Sequence, residues 1–177
     1  MKEKWMSSIM AGIFISMGAM TYLAIPDKTV GSLFFAVGIL LVLNLHNMLV
    51  TRVCPLMVYD HRYGWADAGI AWAGNGIGAL QVTRFKDTIW ETLAGISETK
   101  LGDGPASLFV LGIFCGFFVA FAVLVGAKFE RGSFAQIFYV WLFITAFVLC
   151  GFEHIVADMF YLSCYAMGAG ADALAVV

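Results

Sequence analysis

The chain has 177 residues, 62% hydrophobic and only 12% charged, with a net charge of −2. Soluble domains carry about 25% charged residues, so this composition, with a mean hydropathy of +0.89, excludes an ordinary water-soluble globule and points to an integral membrane protein. With no basic cluster there is no electrostatic footprint for nucleic acid, and the length accommodates about five spanning helices of roughly 20 residues each.

Ser7 to Ile25 forms the first apolar run, headed by Lys2, Glu3 and Lys4 and stopped by Pro26-Asp27-Lys28. A secretory signal has an apolar core of only about 7–15 residues before a small-residue cleavage site, so this run reads as a retained span. The second run begins at Gly31, stays apolar to Leu43, and meets Asn44, His46 and Asn47 before Met48-Leu49-Val50-Thr51. That pattern predicts a span interrupted by polar residues at depth. The third run, Trp65 to Val82, contains Gly69, Gly74, Gly76 and Gly78, small residues that let helices approach closely in a membrane. Its GNGIGA stretch lacks the preceding strand and the spacing of a dinucleotide-binding fingerprint. The fourth span runs from Ser107 to Ala127 and the fifth from Phe134 to near Gly168. Cys54, Cys115, Cys150 and Cys164 show no CxxC spacing and read as packing thiols. A cytoplasmic N-terminus places Lys2, Lys4, Arg52, Arg62, Lys128 and Arg131 inside and Lys28, Arg84, Lys86 and Lys100 outside, which is the sign expected of cytoplasmic loops.

Within the fifth run, Gly151-Phe152-Glu153-His154-Ile155-Val156-Ala157-Asp158-Met159 places two acids and an imidazole inside apolar sequence. A charged side chain at the centre of a spanning helix costs roughly 2.5–3.5 kcal/mol, so such residues mark a water-filled path, a partner or a proton-handling site. A weak internal echo accompanies this motif: Ala11-Gly12-Ile13-Phe14 resembles Leu111-Gly112-Ile113-Phe114, and the second and fifth runs both carry polar interruptions. Residues 1–85 therefore read as a first repeat and 100–177 as an incomplete, inverted second repeat, whose paired interrupted helices form a transport site near the midplane.

The stretch Phe147-Val148-Leu149-Cys150-Gly151-Phe152-Glu153-His154, with Ala157 and Met159, resembles the GxEHSxANM signature of the formate/nitrite transporter family. Phe35-Ala36-Val37-Gly38-Ile39 and Leu49-Val50-Thr51 are similar to that family's second helix and its loop, Gly74-Asn75 with Gly78-Ala79 to its third helix, and Lys100 with Leu111-Gly112 to the approach to its fourth. The resemblance implies an all-α integral membrane protein with an aquaporin-like inverted repeat and broken second and fifth helices. It also implies a homo-pentamer in the cytoplasmic membrane that passes formate, nitrite, hydrosulfide or similar small monovalent anions as the neutral acid or with a proton. Neither catalysis nor a cofactor nor a metal is implied. On the same grounds Phe35, Phe147 and Ile39 belong to the outer constriction, Leu49 and Val50 with the adjacent Thr51 to the cytoplasmic one, His154 to the centre of the pore, and Lys100 to an outer vestibule that draws anions in.

Elementary electrostatics gives such a pore a reason. A bare anion crossing a constriction of Phe and Leu sheds its water with few replacements, and adding a proton removes most of that cost. A titratable His154 between two apolar gates can then hydrogen-bond or protonate a weak acid. Glu153, adjacent to His154, points elsewhere on a regular helix and reads as a group tying the helix break together. Asp158 stands where the family usually has Asn, and is expected either on the His154 face of a continuous helix or as the cap of a restarted one. Met48, His46 and Gly116 also depart from the family pattern. After the fifth span only Gly168 to Val177 remain, about a third of what a loop and a further span need, so a sixth helix is expected to be missing. Two other classes fit the same residues: a non-conducting structural relative, and a haem subunit ligated by His46 and His154.

Overall fold

Neither the second nor the fifth apolar run folds as one helix. The structure, a computed structural model, describes residues 1–59, 61–80 and 87–169; expectations placed on Val82, Arg84, Lys86 and the chain after Ala169 lie outside the described residues. Eight helices follow in order: α1 (Lys2–Ala24), α2 (Lys28–Asn44), α3 (Val50–Tyr59), α4 (Trp65–Ala79), α5 (Asp87–Gly102), α6 (Pro105–Gly126), α7 (Phe134–Leu149) and α8 (Ile155–Ala169), with no strand among the described residues. Among the described residues only α1, with 23 residues, and α6, with 22, are long and apolar enough to cross a bilayer alone; at 1.5 Å per residue each reaches more than about 30 Å. The 17 residues of α2 and 16 of α7 rise only about 25 Å, so each crosses with its continuation, α3 or α8. One helix, α5, has no counterpart in the sequence reading.

The two breaks are made the same way. At the end of α2 the Asn47 amide donates to the Val42 carbonyl at 2.9 Å and His46 to Leu43 at 3.3 Å; at the end of α7 Phe152 donates to Phe147 at 3.3 Å and Gly151 to Val148 at 3.0 Å. This is the Schellman pattern, which needs a left-handed residue just past the cap. Gly151 takes that position with φ 71° and His46 takes it with φ 57°. Glycine holds that backbone at no steric cost, whereas a residue with a β-carbon gives up about 1–2 kcal/mol. His46→Gly is therefore expected to raise stability by about 0.5–1 kcal/mol, because the bond between the Arg131 guanidinium and the His46 ring returns part of the cost. Thermal unfolding in detergent, with Gly151→Ala expected to lose about 1–2 kcal/mol, checks both signs; a destabilised His46→Gly would show that the arginine contact outweighs the backbone.

Close helix contacts set the frame around the breaks. A β-carbon added at Gly12 would sit 2.2 Å from the Asn75 carbonyl oxygen, and one at Gly78 2.1 Å from that of Ile9, so α1 and α4 touch backbone to backbone. Gly74 abuts Ser8 in the same seam, as the close-packing expectation requires, but Gly76 meets only the Met159 sulfur at 3.6 Å and Gly69 meets nothing within 4 Å. Gly18 and Gly38 bring α1 and α2 together in the same manner. Lys4 pairs with Asp67, so α1 and α4 start at one end of the bundle. Arg131, in the α6–α7 connection, reaches the Asn44 carbonyl at that end. The outward surface of α6 and α7 presents Phe109, Phe117, Phe121, Trp141 and Leu142, a continuous apolar face suited to hydrocarbon or another chain.

Candidate functional site

Where α7 stops, the left-handed turn at Gly151 swings Phe152-Glu153-His154 across the bundle before α8 restarts at Ile155. His154 is only 2% exposed. Its Nδ1 accepts from the Ala157 amide at 3.2 Å, the bond an N-cap side chain makes to the third residue of its helix. The cap of the new helix is therefore the histidine; Asp158 lies inside the first turn, so the expected capping role passes to its neighbour. An amide can only donate, so the imidazole proton is assigned to Nε2. Nε2 stands 3.1 Å from Thr51 Oγ1, at the start of α3 beyond the other break. Two interruptions 103 residues apart thus meet through one hydrogen bond.

Aromatic rings close over this pair. Phe35 of α2 and Phe147 of α7 meet edge to face, with centroids 5.9 Å apart and planes at 89°, and the Phe147 ring lies 5.7 Å from the imidazole. Both phenylalanines are buried, as are Ile39 and Leu49, while Val50 is half-buried. The expected constriction residues and His154 therefore share one core. An edge-to-face pair of this kind adds about 0.5–1.5 kcal/mol beyond its area.

The loop that positions Thr51 hangs on Asn75, which the sequence reading did not single out as a functional residue. The Asn75 Oδ1 accepts from the Val50 amide at 2.8 Å, and its Nδ2 donates to the carbonyls of Ser8 at 2.8 Å and Met48 at 2.9 Å. One fully buried side chain so joins α1, α4 and the interrupted α2–α3 segment. Ser7 Oγ accepts from the Met48 amide at 3.0 Å, and Arg52 donates to the Asn47 carbonyl at 3.0 Å. The available signal was an amide amid glycines in an apolar run, where a buried polar group needs partners.

Beneath Lys28 and the start of α2 lies a cavity of about 510 Å³, reached by Tyr22, Phe35, Lys100, Phe147, His154 and Tyr161. Lys100, on α5, projects its ammonium between two carboxylates, Glu153 Oε2 at 2.5 Å and Asp158 Oδ1 at 3.0 Å. Glu153 thereby ties the α7–α8 break to α5. His46 lies apart from this group on Arg131, and His154 commits both ring nitrogens within the protein, so neither imidazole is held ready for a shared ligand.

Comparisons with known proteins agree with this architecture. The family model described as "Formate/nitrite transporter" matches residues 1–176. The nitrite transporter NirC of Salmonella typhimurium is 26% identical over 180 aligned positions, which cover 88% of this chain and 65% of NirC; the Escherichia coli NirC gives the same figures. The chain thus spans just under two thirds of the length of these relatives. An uncharacterized transporter of Bacillus subtilis, YwcJ, is 25% identical over 86% of this chain and 69% of its own. Among solved structures, a pentameric formate channel with formate bound superposes with a TM-score of 0.82 at 22% identity, covering 99% of this chain and 80% of that one. An FNT family ion channel gives 0.79 at 22% identity, over 96% and 76%.

Proposed function

Because the chain belongs to the formate/nitrite transporter family, we propose that it forms a membrane pathway for small monovalent weak acids, of the formate, nitrite and hydrosulfide type, which cross as the uncharged acid or together with a proton. The observation that carries this reading is the Phe35–Phe147 ring pair, whose Phe147 ring lies against the imidazole that meets Thr51. Two aromatic side chains offer a dehydrating anion no hydrogen-bond donor to replace its water, and a charge left there unpaired is costly. An uncharged acid avoids most of that cost. It then meets the Thr51 hydroxyl, whose oxygen accepts from the His154 ring N–H and whose own hydrogen can be donated to the acid.

The tautomer of His154 gives the histidine a conditional role. Its resting proton sits on Nε2, toward Thr51, and a second proton can enter only at Nδ1. That proton would face the Ala157 N–H donor to donor and remove the cap of α8, so charging His154 and keeping the break intact oppose each other. Protonation is coupled to the geometry of the pore in this way. We read α1 to α4 as one repeat and α6 to α8 as part of an inverted second one, on the support of the matching Schellman turns at His46 and Gly151. The assembly proposed is a homo-pentamer in the cytoplasmic membrane with a cytoplasmic N-terminus; the apolar outer face of α6 and α7 supplies area for lipid and neighbouring protomers.

Uptake by proteoliposomes tests the function. Formate, nitrite or hydrosulfide should enter protein-containing vesicles faster than empty ones, with rates that climb as external pH falls and the uncharged fraction grows. Equal rates with and without protein for all three would leave the chain a non-conducting structural relative.

A further inference from the structure

Lys100, Glu153 and Asp158 gather one cation and two carboxyl groups at a site where each side chain is less than one-fifth exposed. With both acids ionised the cluster carries one negative charge; with one proton held between them it carries none. A buried charge without a partner is costly, and such a group takes up a proton instead. Two carboxyl groups sharing a site do so most readily, because like charges in contact do not both persist. Glu153 makes the shorter bond to the ammonium, 2.5 Å against 3.0 Å for Asp158, as the ionised partner of a charge-assisted pair does. Asp158 is in hydrogen-bond contact with Glu153 as well. Two carboxylates can only accept, so that contact needs a hydrogen. Since Asp158 Oδ1 faces Lys100, the hydrogen is assigned to Oδ2 and donated to Glu153. The other titratable groups facing the cluster are Tyr22 of α1, Cys115 of α6 and Tyr161 of α8, phenols and a thiol that are uncharged near neutrality, and His154, whose Nδ1 is taken by the Ala157 amide. Lys28, Glu91 and Asp103 line other parts of the cavity wall, and α4 meets α8 through Gly76 at Met159.

We propose that Asp158 is a positioning residue of the pathway that works as the neutral acid: its Oδ2–H holds Glu153 onto Lys100 and so fixes the α7–α8 break from which His154 meets Thr51. An asparagine would make the same two bonds, its Oδ1 accepting from Lys100 and its Nδ2 donating to Glu153. The protonated aspartate therefore acts as an amide whose donor can be withdrawn. Loss of the proton sets two carboxylates against each other on one ammonium, and the repulsion falls on Glu153, the chain neighbour of His154. Permeation then declines on the alkaline side beyond the loss of uncharged acid itself. The inference rests on the weak-acid reading for its effect on uptake; the proton on Asp158 is detectable without it.

Infrared difference spectra of the full chain in proteoliposomes, taken between mildly acidic and mildly alkaline pH, should show the carbonyl stretch of a protonated carboxylic acid that disappears as pH rises, and Asp158→Asn should lack that band. Thermal unfolding in detergent gives a second reading. The native chain holds a proton that the unfolded chain has released, so wild-type stability should fall as pH rises through the window in which Asp158 ionises, while Asp158→Asn, whose donor does not titrate, should show no such fall. The third reading is formate uptake, corrected for empty vesicles, with total formate raised along with pH so that the uncharged acid stays constant. Wild-type uptake should drop by about tenfold for each pH unit beyond loss of the proton, the slope of a single titrating group, and the Asp158→Asn profile should be flat on that side. Coincident wild-type and variant profiles overturn the positioning role and leave the weak-acid pathway standing. If no formate enters through the wild-type chain, the pathway itself fails and the positioning role with it, whereas the infrared band still decides whether Asp158 holds the proton. Where Asp158→Asn does not reconstitute, a wild-type spectrum in which no protonated carboxyl titrates overturns the inference by itself.

Discussion

Asn75→Leu is expected to cost at least about 3 kcal/mol of stability and to abolish permeation with it. The leucine fills a similar volume but leaves the Val50 amide and the carbonyls of Ser8 and Met48 without the partner that Asn75 gives them. Each buried backbone group left unmade costs about 1–3 kcal/mol, and non-helical backbone at membrane depth survives only where its polar groups are met. Since Thr51 follows Val50, the loss also releases the hydroxyl that meets His154. Thermal unfolding in detergent checks the magnitude. Ile77→Ala on the exposed face of the same helix is the control, expected within about 0.5 kcal/mol of the wild type. A variant as stable as that control would show that Asn75 does not hold the break.

His154→Asn separates the two duties of the histidine. Asparagine is among the best N-cap residues, so the start of α8 should survive and the unfolding midpoint should move little. The shorter side chain gives up the bond to Thr51, and with it the polar step beneath the aromatic gate. Weak-acid uptake is expected to fall by about tenfold or more, since one hydrogen bond in a dry site is worth about 1.5 kcal/mol. The pH profile provides a second readout. In the wild type, uptake per unit of uncharged acid should decline on strong acidification, as Nδ1 gains a proton and loses the Ala157 amide; in His154→Asn that acid limb should vanish. A folded variant with wild-type rate and profile would remove His154 from permeation.

Much of this arrangement is legible in the sequence because both helix breaks announce themselves locally. Asn44, His46 and Asn47 interrupt one apolar run, and Gly151 with Glu153 and His154 interrupts the other, at places where hydrocarbon tolerates neither polar side chains nor unpaired backbone. The resemblance to a family signature then brings Phe35, Phe147, Thr51 and His154 to one site. Other features depend on register between distant segments and leave no local trace. Lys100 meets Glu153 and Asp158 across 53 and 58 residues, and sequence spacing carries no sign of that triad. Asn75 reads locally as part of a glycine-rich stretch; its importance comes from α1 and the Met48–Val50 segment converging on it. The helix α5 mixes acids, threonines and apolar residues in 16 positions and so shows no apolar run. His46 in a left-handed backbone is foreshadowed only by its departure from the family pattern, a hint of geometry that reads equally as a hint of chemistry.

In the proposed pathway an uncharged acid, and not a bare anion, passes the Phe35–Phe147 gate onto His154 and Thr51. Its most direct test records the internal pH of proteoliposomes while formate is driven inward. The lumen should acidify in step with uptake, about one proton for each formate, because an acid that crosses whole releases its proton inside, and an imposed membrane potential should leave the rate unchanged. Formate entry without acidification, accelerated by a potential positive inside, would contradict it.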